Sequence, residues 1–192
     1  MAAQSKELLR CSWGNGSELL AQYHDEQWGR PCHDDDLLFE AIILDAFQAG
    51  LSWSTILNKR ENFRKAFDNF DARKIAKYTE KKKEALMKDV GIIRNRLKID
   101  SAVTNAQAFL AVQKEFGTFD KYIWQFTKGK TIRNNWKEMK QVPATSRESD
   151  AMSADLKKRG FKFVGSTICY AFMQATGMVD DHIAGCHVRR SR

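Results

Sequence analysis

The chain has 192 residues, 43% of them hydrophobic and 11% aromatic, with a net charge of +8. That length builds one domain or two small fused lobes without staples. No apolar run approaches the roughly 18 residues of a membrane span, and the opening MAAQSKELLR lacks a secretory signal's apolar centre, so a soluble, cytoplasmic protein is expected. The positive charge excludes little but favours polyanionic partners, above all nucleic-acid phosphates. Basic residues gather at Lys81 to Lys83, at Lys88, Arg94, Arg96 and Lys98, and at Lys157 to Arg159 with Lys162. Each cluster reads equally well as a solvated helix face.

Only Pro31 and Pro143 interrupt the chain, and no repeat or low-complexity linker marks a boundary. From Asp34 to Gln48 the row DDDLLFEAIILDAFQ opens with acids suited to a helix N-terminus and continues as an apolar segment too broad for an exposed helix. This predicts a buried central helix. Leu86 to Val90 leads into Gly91-Ile92-Ile93, after which Ile99, Val103, Ala106 and Leu110 keep helical spacing, which predicts helix, tight turn, helix. Thr145-x-x-Glu148 resembles a capping box, and Lys157-Lys158-Arg159-Gly160 has a basic last turn with a glycine stop, predicting a helix from about Ser146 to Arg159. Phe161-Lys162-Phe163-Val164 is the only short strand candidate. The fold class is all-α.

Four cysteines and four histidines in a reducing compartment weigh against paired disulfides and raise the question of metal. His182-x3-Cys186 can present an imidazole and a thiolate to one ion across a helical turn, and Cys11 with His24 could complete a tetrahedral set joining the two ends of the chain. Spacing alone leaves the plainer reading open, with Cys11 and Cys186 as small apolar fillers and the histidines at the surface. Cys169 sits in an apolar run and reads as core, while Cys32, His33 and His187 stay outside the set.

Asp45 is a lone acid inside Ala41-Ile42-Ile43-Leu44-Asp45-Ala46-Phe47. A buried carboxylate is costly unless bonded or functional. It therefore stands out as a site residue, against the alternative of a structural acid that caps a backbone or pairs with a lysine.

The strings YHDEQWG (Tyr23 to Gly29), FQAGLSW (Phe47 to Trp53), VGIIRNR (Val90 to Arg96) and KRGFKFVGSTICYAFMQATGMVDDH (Lys158 to His182) closely resemble the 3-methyladenine DNA glycosylase I family. They follow the family's order and span the chain from Cys11 to Cys186. The resemblance implies an all-α helix-hairpin-helix fold, hydrolytic release of 3-methyladenine from DNA, and one structural zinc ion. By motif, the zinc ligands fall on Cys11, His24, His182 and Cys186, the set that spacing suggested. The family's base pocket falls on Tyr23, Trp53 and Asp45, with Trp13 and Trp28 at aromatic positions beside it. Two departures are visible: Asp45 stands where close relatives carry glutamate, and Leu20 stands where they carry tyrosine. The first withdraws the charge by one methylene, and the second makes the pocket wall less aromatic.

These residues suit the implied chemistry. Tyr23 and Trp53 can stack on a cationic methylated adenine while Asp45 accepts hydrogen bonds from its edge, although simple core packing also accounts for the two aromatics. Methylation weakens the bond to the sugar, so the expected reaction is attack by water on an oxocarbenium-like sugar with no covalent intermediate. Extruding the base leaves a gap, for which Gly50 offers close backbone approach and Leu51 an apolar wedge; an ordinary helix cap and a core leucine are the alternative. Gly91 and its neighbours can offer N–H groups to a phosphate, with Arg94 and Lys98 adding charge. Asp100, after the hairpin, reads as a surface acid and not a catalytic one.

The expected organisation is a single unit over 1–192, with a helical hairpin lobe at about 35–145 and the terminal segments joined by zinc. Expected partners are duplex DNA containing alkylated adenine and free 3-methyladenine as product, with no membrane and a monomeric state. A non-catalytic, zinc-stapled DNA-binding module competes with this reading, and Asp45 with its aromatic neighbours argues against it. A zinc hydrolase or deaminase would need an open metal position, and a deaminase the H-x-E and P-C-x-x-C pair that this sequence lacks.

Overall fold

The computed structural model describes residues 8–190. Residues 1–7, which carry most of the stretch inspected for a secretory signal, lie outside the described residues. In chain order the helices are α1 (Glu18–Glu26), α2 (Asp35–Gln48), α3 (Trp53–Leu57), α4 (Arg60–Ala66), α5 (Ala72–Ile75), α6 (Glu80–Lys88), α7 (Arg96–Phe116), α8 (Phe119–Ile123), α9 (Arg147–Lys158), α10 (Ser166–Ala175) and α11 (His187–Arg190). Local chemistry accounts for where many of them begin. Ser17, Asp34, Ser52, Asp71, Thr79, Asn95, Thr118 and Ser146 each accept a hydrogen bond from a first-turn N–H that has no partner within its helix.

The central element is α2, buried along most of its length and packed against α7 and α10. It meets a continuous aromatic core in which the Phe39 and Phe109 rings, inclined by 50°, lie 4.7 Å apart between centroids and Phe47 meets Phe63 edge-on at 4.9 Å. The helix, turn and helix expected around Gly91 are α6, residues 89–95 and α7. Among the described residues no helix is long and apolar enough to cross a membrane.

Two local expectations are corrected. The reciprocal cap of α9 is formed by Ser146 and Ser149, one residue on from Thr145 and Glu148. Ser146 has the extended backbone of an N-cap, and the Ser149 hydroxyl completes the box in place of a longer acid. Phe161 to Val164 forms no strand: Phe161 and Val164 are apolar because both are buried, and Phe163 turns the chain with φ of 55°. The extended pairing lies elsewhere, in a two-residue parallel bridge between β1 (Ile132–Arg133) and β2 (Val179–Asp180).

Candidate active site

A cavity of about 480 Å³ opens between α1, α2, α3 and α10. The helix period brings Tyr23 from α1, Asp45 and Gln48 from the last turns of α2, Trp53 from the start of α3, and Tyr170 and Gln174 from successive turns of α10 to its walls. Trp13, Leu20 and Trp28 complete the N-terminal side. The Tyr23 and Trp53 rings lie 5.1 Å apart, inclined by 44°, and Trp13 meets Trp28 edge-on at 5.0 Å. All five base-pocket residues expected from sequence, Trp13, Tyr23, Trp28, Asp45 and Trp53, therefore line one cavity, as does Leu20 at the position of departure. Gln48, Tyr170 and Gln174 were not anticipated, although the last two stand four apart within a string already singled out.

Asp45 is 2% exposed and forms no ion pair among the described residues, and its Oδ2 has no hydrogen-bond partner. Burial pushes its carboxyl up to about 8. The Trp53 indole N–H, on the same wall, is likewise buried without a partner. Leaving a buried polar atom unpaired costs about 1–3 kcal/mol. Two such atoms on residues that line one aromatic cavity point to a ligand site rather than to packing alone.

Beside this cavity, Cys11, His24 and Cys186 hold their ligand atoms within 4.8 Å of one another, all buried. His24 turns Nε2 toward Cys186 Sγ at 3.6 Å because Asp25 engages its Nδ1 at 2.7 Å. Asp180 engages Nδ1 of His182 in the same way at 2.7 Å. His182 stands at the edge of the trio, its ring 4.8 Å from that of His24 and its Nε2 3.4 Å from the His24 carbonyl oxygen. A carboxylate behind each imidazole fixes the tautomer that metal-bound histidines use. The hydrogen bond from the Cys11 thiol pulls Cys186 below the usual thiol range and pushes Cys11 above it. Two thiols and two oriented imidazoles suit a tetrahedral ion such as zinc. Trp13 and Trp28 pack on His24 and His182 at 5.1 Å and 4.7 Å, so the cluster braces the cavity's aromatic wall.

The residues assigned to DNA divide. Gly50 ends α2 with φ of +77°, a conformation that glycine adopts without strain, and a Cβ there would meet open space. Leu51 beside it is 41% exposed and so is not core. Arg94 is exposed. Lys98 is corrected: its ammonium is buried and donates to the carbonyls of Phe47 at 2.8 Å and Ala49 at 2.6 Å, where it caps α2 rather than facing a phosphate. Gly91 is also corrected as an N–H donor, because its amide already donates to Asp89 Oδ1 at 2.7 Å. Asp100 is engaged by Lys83 at 3.0 Å and Arg96 at 2.9 Å, consistent with a surface acid. Cys169 is buried, and His33 pairs at the surface with Asp120.

Fold and site together define a mostly helical protein with an aromatic cavity, a buried carboxyl on its wall and a Cys/His cluster behind it. A family model described as methyladenine glycosylase matches residues 13–190, and the chain belongs to that enzyme family. A DNA-3-methyladenine glycosylase from Haemophilus influenzae is 46% identical over 95% of this chain and 98% of its own length. A crystal structure of a 3-methyladenine DNA glycosylase I, also 46% identical, superposes with a TM-score of 0.91 over 93% of this chain and 98% of that one. A second, 32% identical, superposes at 0.90 over 93% and 96%; it is a tyrosine-to-phenylalanine variant in complex with 3-methyladenine.

Proposed function

We propose that this chain repairs alkylated DNA by extruding 3-methyladenine from the duplex and hydrolysing its bond to the sugar, without a covalent intermediate. The observation that carries the reading is the wholly buried Asp45 carboxyl, with an unpartnered oxygen, in a cavity walled by Trp13, Tyr23, Trp28 and Trp53. The substrates named for its relatives support the same class of base.

In the empty cavity burial keeps Asp45 largely neutral near pH 7. A cationic purine offers its positive ring to the faces of Tyr23 and Trp53 and its amino edge to Asp45, which ionises as it accepts those bonds. Ordinary adenine brings no charge and gains less from the same walls. Because N3 methylation already places positive charge on the leaving group, selective binding supplies much of the catalysis and strong protonation of the base is unnecessary. Water then attacks the sugar as the bond loosens. Among the described residues no lysine lines the cavity, which supports direct hydrolysis over a Schiff base.

Leu51, exposed on the Gly50 turn, is assigned to the gap left by the extruded base, and Arg94 beside the helical hairpin to a phosphate. Zinc would be held by Cys11, His24, His182 and Cys186, where it supplies a structural clamp between the chain's two ends. The duplex is therefore the macromolecular partner, and a cytoplasmic, monomeric protein is the setting that fits.

Methylated duplex DNA incubated with the protein, its released bases resolved by chromatography, tests the reading. The expected product is free 3-methyladenine, with no protein–DNA adduct trapped by borohydride. Absence of base release, or a trapped adduct, overturns it.

A further inference from the structure

Asp181 is fully buried and receives four hydrogen bonds: Oδ1 from the Asn134 amide and the Trp136 indole, and Oδ2 from the Tyr170 hydroxyl and the Gln174 amide, each at 2.7 Å. Tyr170 and Gln174 line the base cavity, whereas Asn134 and Trp136 come from the segment after β1. A carboxylate offers only acceptors. It therefore dictates which end of the Gln174 amide faces it: the NH2 turns to Asp181 and the carbonyl oxygen Oε1 turns away from it, on a residue that lines the cavity. The orientation of an amide is usually ambiguous, but here the charge chemistry of the partner decides it.

We propose that Gln174 is a specificity-determining residue, held acceptor-outward by Asp181 as a positioning residue, and that it makes the cavity select a purine with an amino group at position 6 over one with an oxo group. Asp45, ionised as it accepts from an amino base, and Gln174 Oε1 then present two acceptors. A 6-amino group satisfies both. A 6-oxo group can accept from a protonated Asp45 but sets its lone pairs against those of Gln174 Oε1, so Gln174 is the acceptor that the oxo base leaves unmatched. The inference rests on the proposed base-binding role of the cavity.

The test is the affinity of the purified, metal-loaded protein for free 3-methyladenine and for 3-methylhypoxanthine, which exchange the 6-amino group for a 6-oxo group and one ring N–H, followed by tryptophan fluorescence; the variants are read by the change in the ratio, which the ring difference itself does not move. The parent is expected to prefer the amino base by tenfold or more. Gln174→Met, close in size and without the acceptor, is expected to shrink that preference by roughly tenfold, the change that one hydrogen bond carries. Asp181→Asn is expected to shrink it similarly, because an asparagine amide can donate to Gln174 Oε1 and allow the side chain to invert. An unchanged ratio in Gln174→Met overturns the inference whatever Asp181→Asn does, and an unchanged ratio in Asp181→Asn alone overturns the positioning role. Equal weakening of both bases marks a merely structural effect and also overturns it. A parent that binds neither base sinks the base-binding reading itself and takes this inference with it; a parent that binds both equally sinks the inference alone.

Discussion

The Lys98 ammonium lies 2.8 Å from the carbonyl oxygen of Phe47, and the same nitrogen reaches the Ala49 carbonyl at 2.6 Å. A cation from α7 thus satisfies the terminal carbonyls of α2 and holds the turn that carries Gly50 and Leu51. Lys98→Ala is expected to destabilise the protein by about 2–3 kcal/mol, since it removes two charge-assisted bonds at a buried site. Arg94→Ala, at an exposed position, is expected to change stability by less than about 0.5 kcal/mol while weakening binding to all duplexes and flattening its salt dependence. Chemical denaturation and a salt titration of DNA binding separate the two.

Asp45 carries a pH-dependent cost. Its carboxyl is pushed up to about 8 in the folded protein, whereas an unfolded aspartate ionises near 3.8. Between those values the native state holds a proton that the unfolded state has lost, so this group's contribution to stability falls as pH rises and is exhausted above pH 8. Asp45→Asn, which has no proton to lose, should match the parent near pH 4 and exceed it by ~2–4 kcal/mol near pH 9 in the absence of base. The same variant should bind 3-methyladenine at least tenfold more weakly, and binding by the parent at pH 7 should release protons. Denaturation across pH and calorimetry in buffers of different ionisation enthalpy read these effects.

The Cys/His cluster predicts about one equivalent of zinc per chain. Removing it should lower the thermal midpoint by far more than it alters base preference, because the ligands join Cys11 and His24 to residues more than 150 positions away. Cys186→Ala combined with His182→Ala should abolish metal content. Elemental analysis of protein purified without chelator decides the matter, and full metal content in that double variant would exclude the site.

Leu51→Ala should leave stability within about 0.5 kcal/mol, since the side chain is substantially solvent-exposed, yet slow excision from duplex DNA. Excision from single strands, where no stack must be filled, should be affected far less. Equal slowing on both substrates would remove the wedge assignment.

Gly177→Ala tests the packing that seats the N-terminal wall of the cavity. Gly177 has φ of +68°, and a Cβ there would fall 2.1 Å from the Arg30 carbonyl carbon and 2.3 Å from the Arg30 oxygen and the Pro31 nitrogen, all backbone. A loss of about 3 kcal/mol or more is expected by denaturation, because neither partner can move aside.

What the sequence determined by itself is local or carried whole by motif. The span of α2 follows from the Asp34 cap and the apolar run behind it, and the turn at Gly91 from the glycine between two periodic segments, because caps and helix periodicity act over only a few residues. Asp45 was legible as a lone acid in an apolar helix, since burial of a charge is anomalous wherever the helix packs. Tertiary structure decided the partners. Lys98 reads as a surface cation from its neighbours alone, and only the packing of α7 on α2 brings it to carbonyls about fifty residues away. The strand pairing of Ile132 with Val179 and the four donors converging on Asp181 are equally invisible to local pattern. Each depends on which segments meet across the core, and that is settled by the collective fit of buried side chains rather than by the preferences of any one stretch of chain.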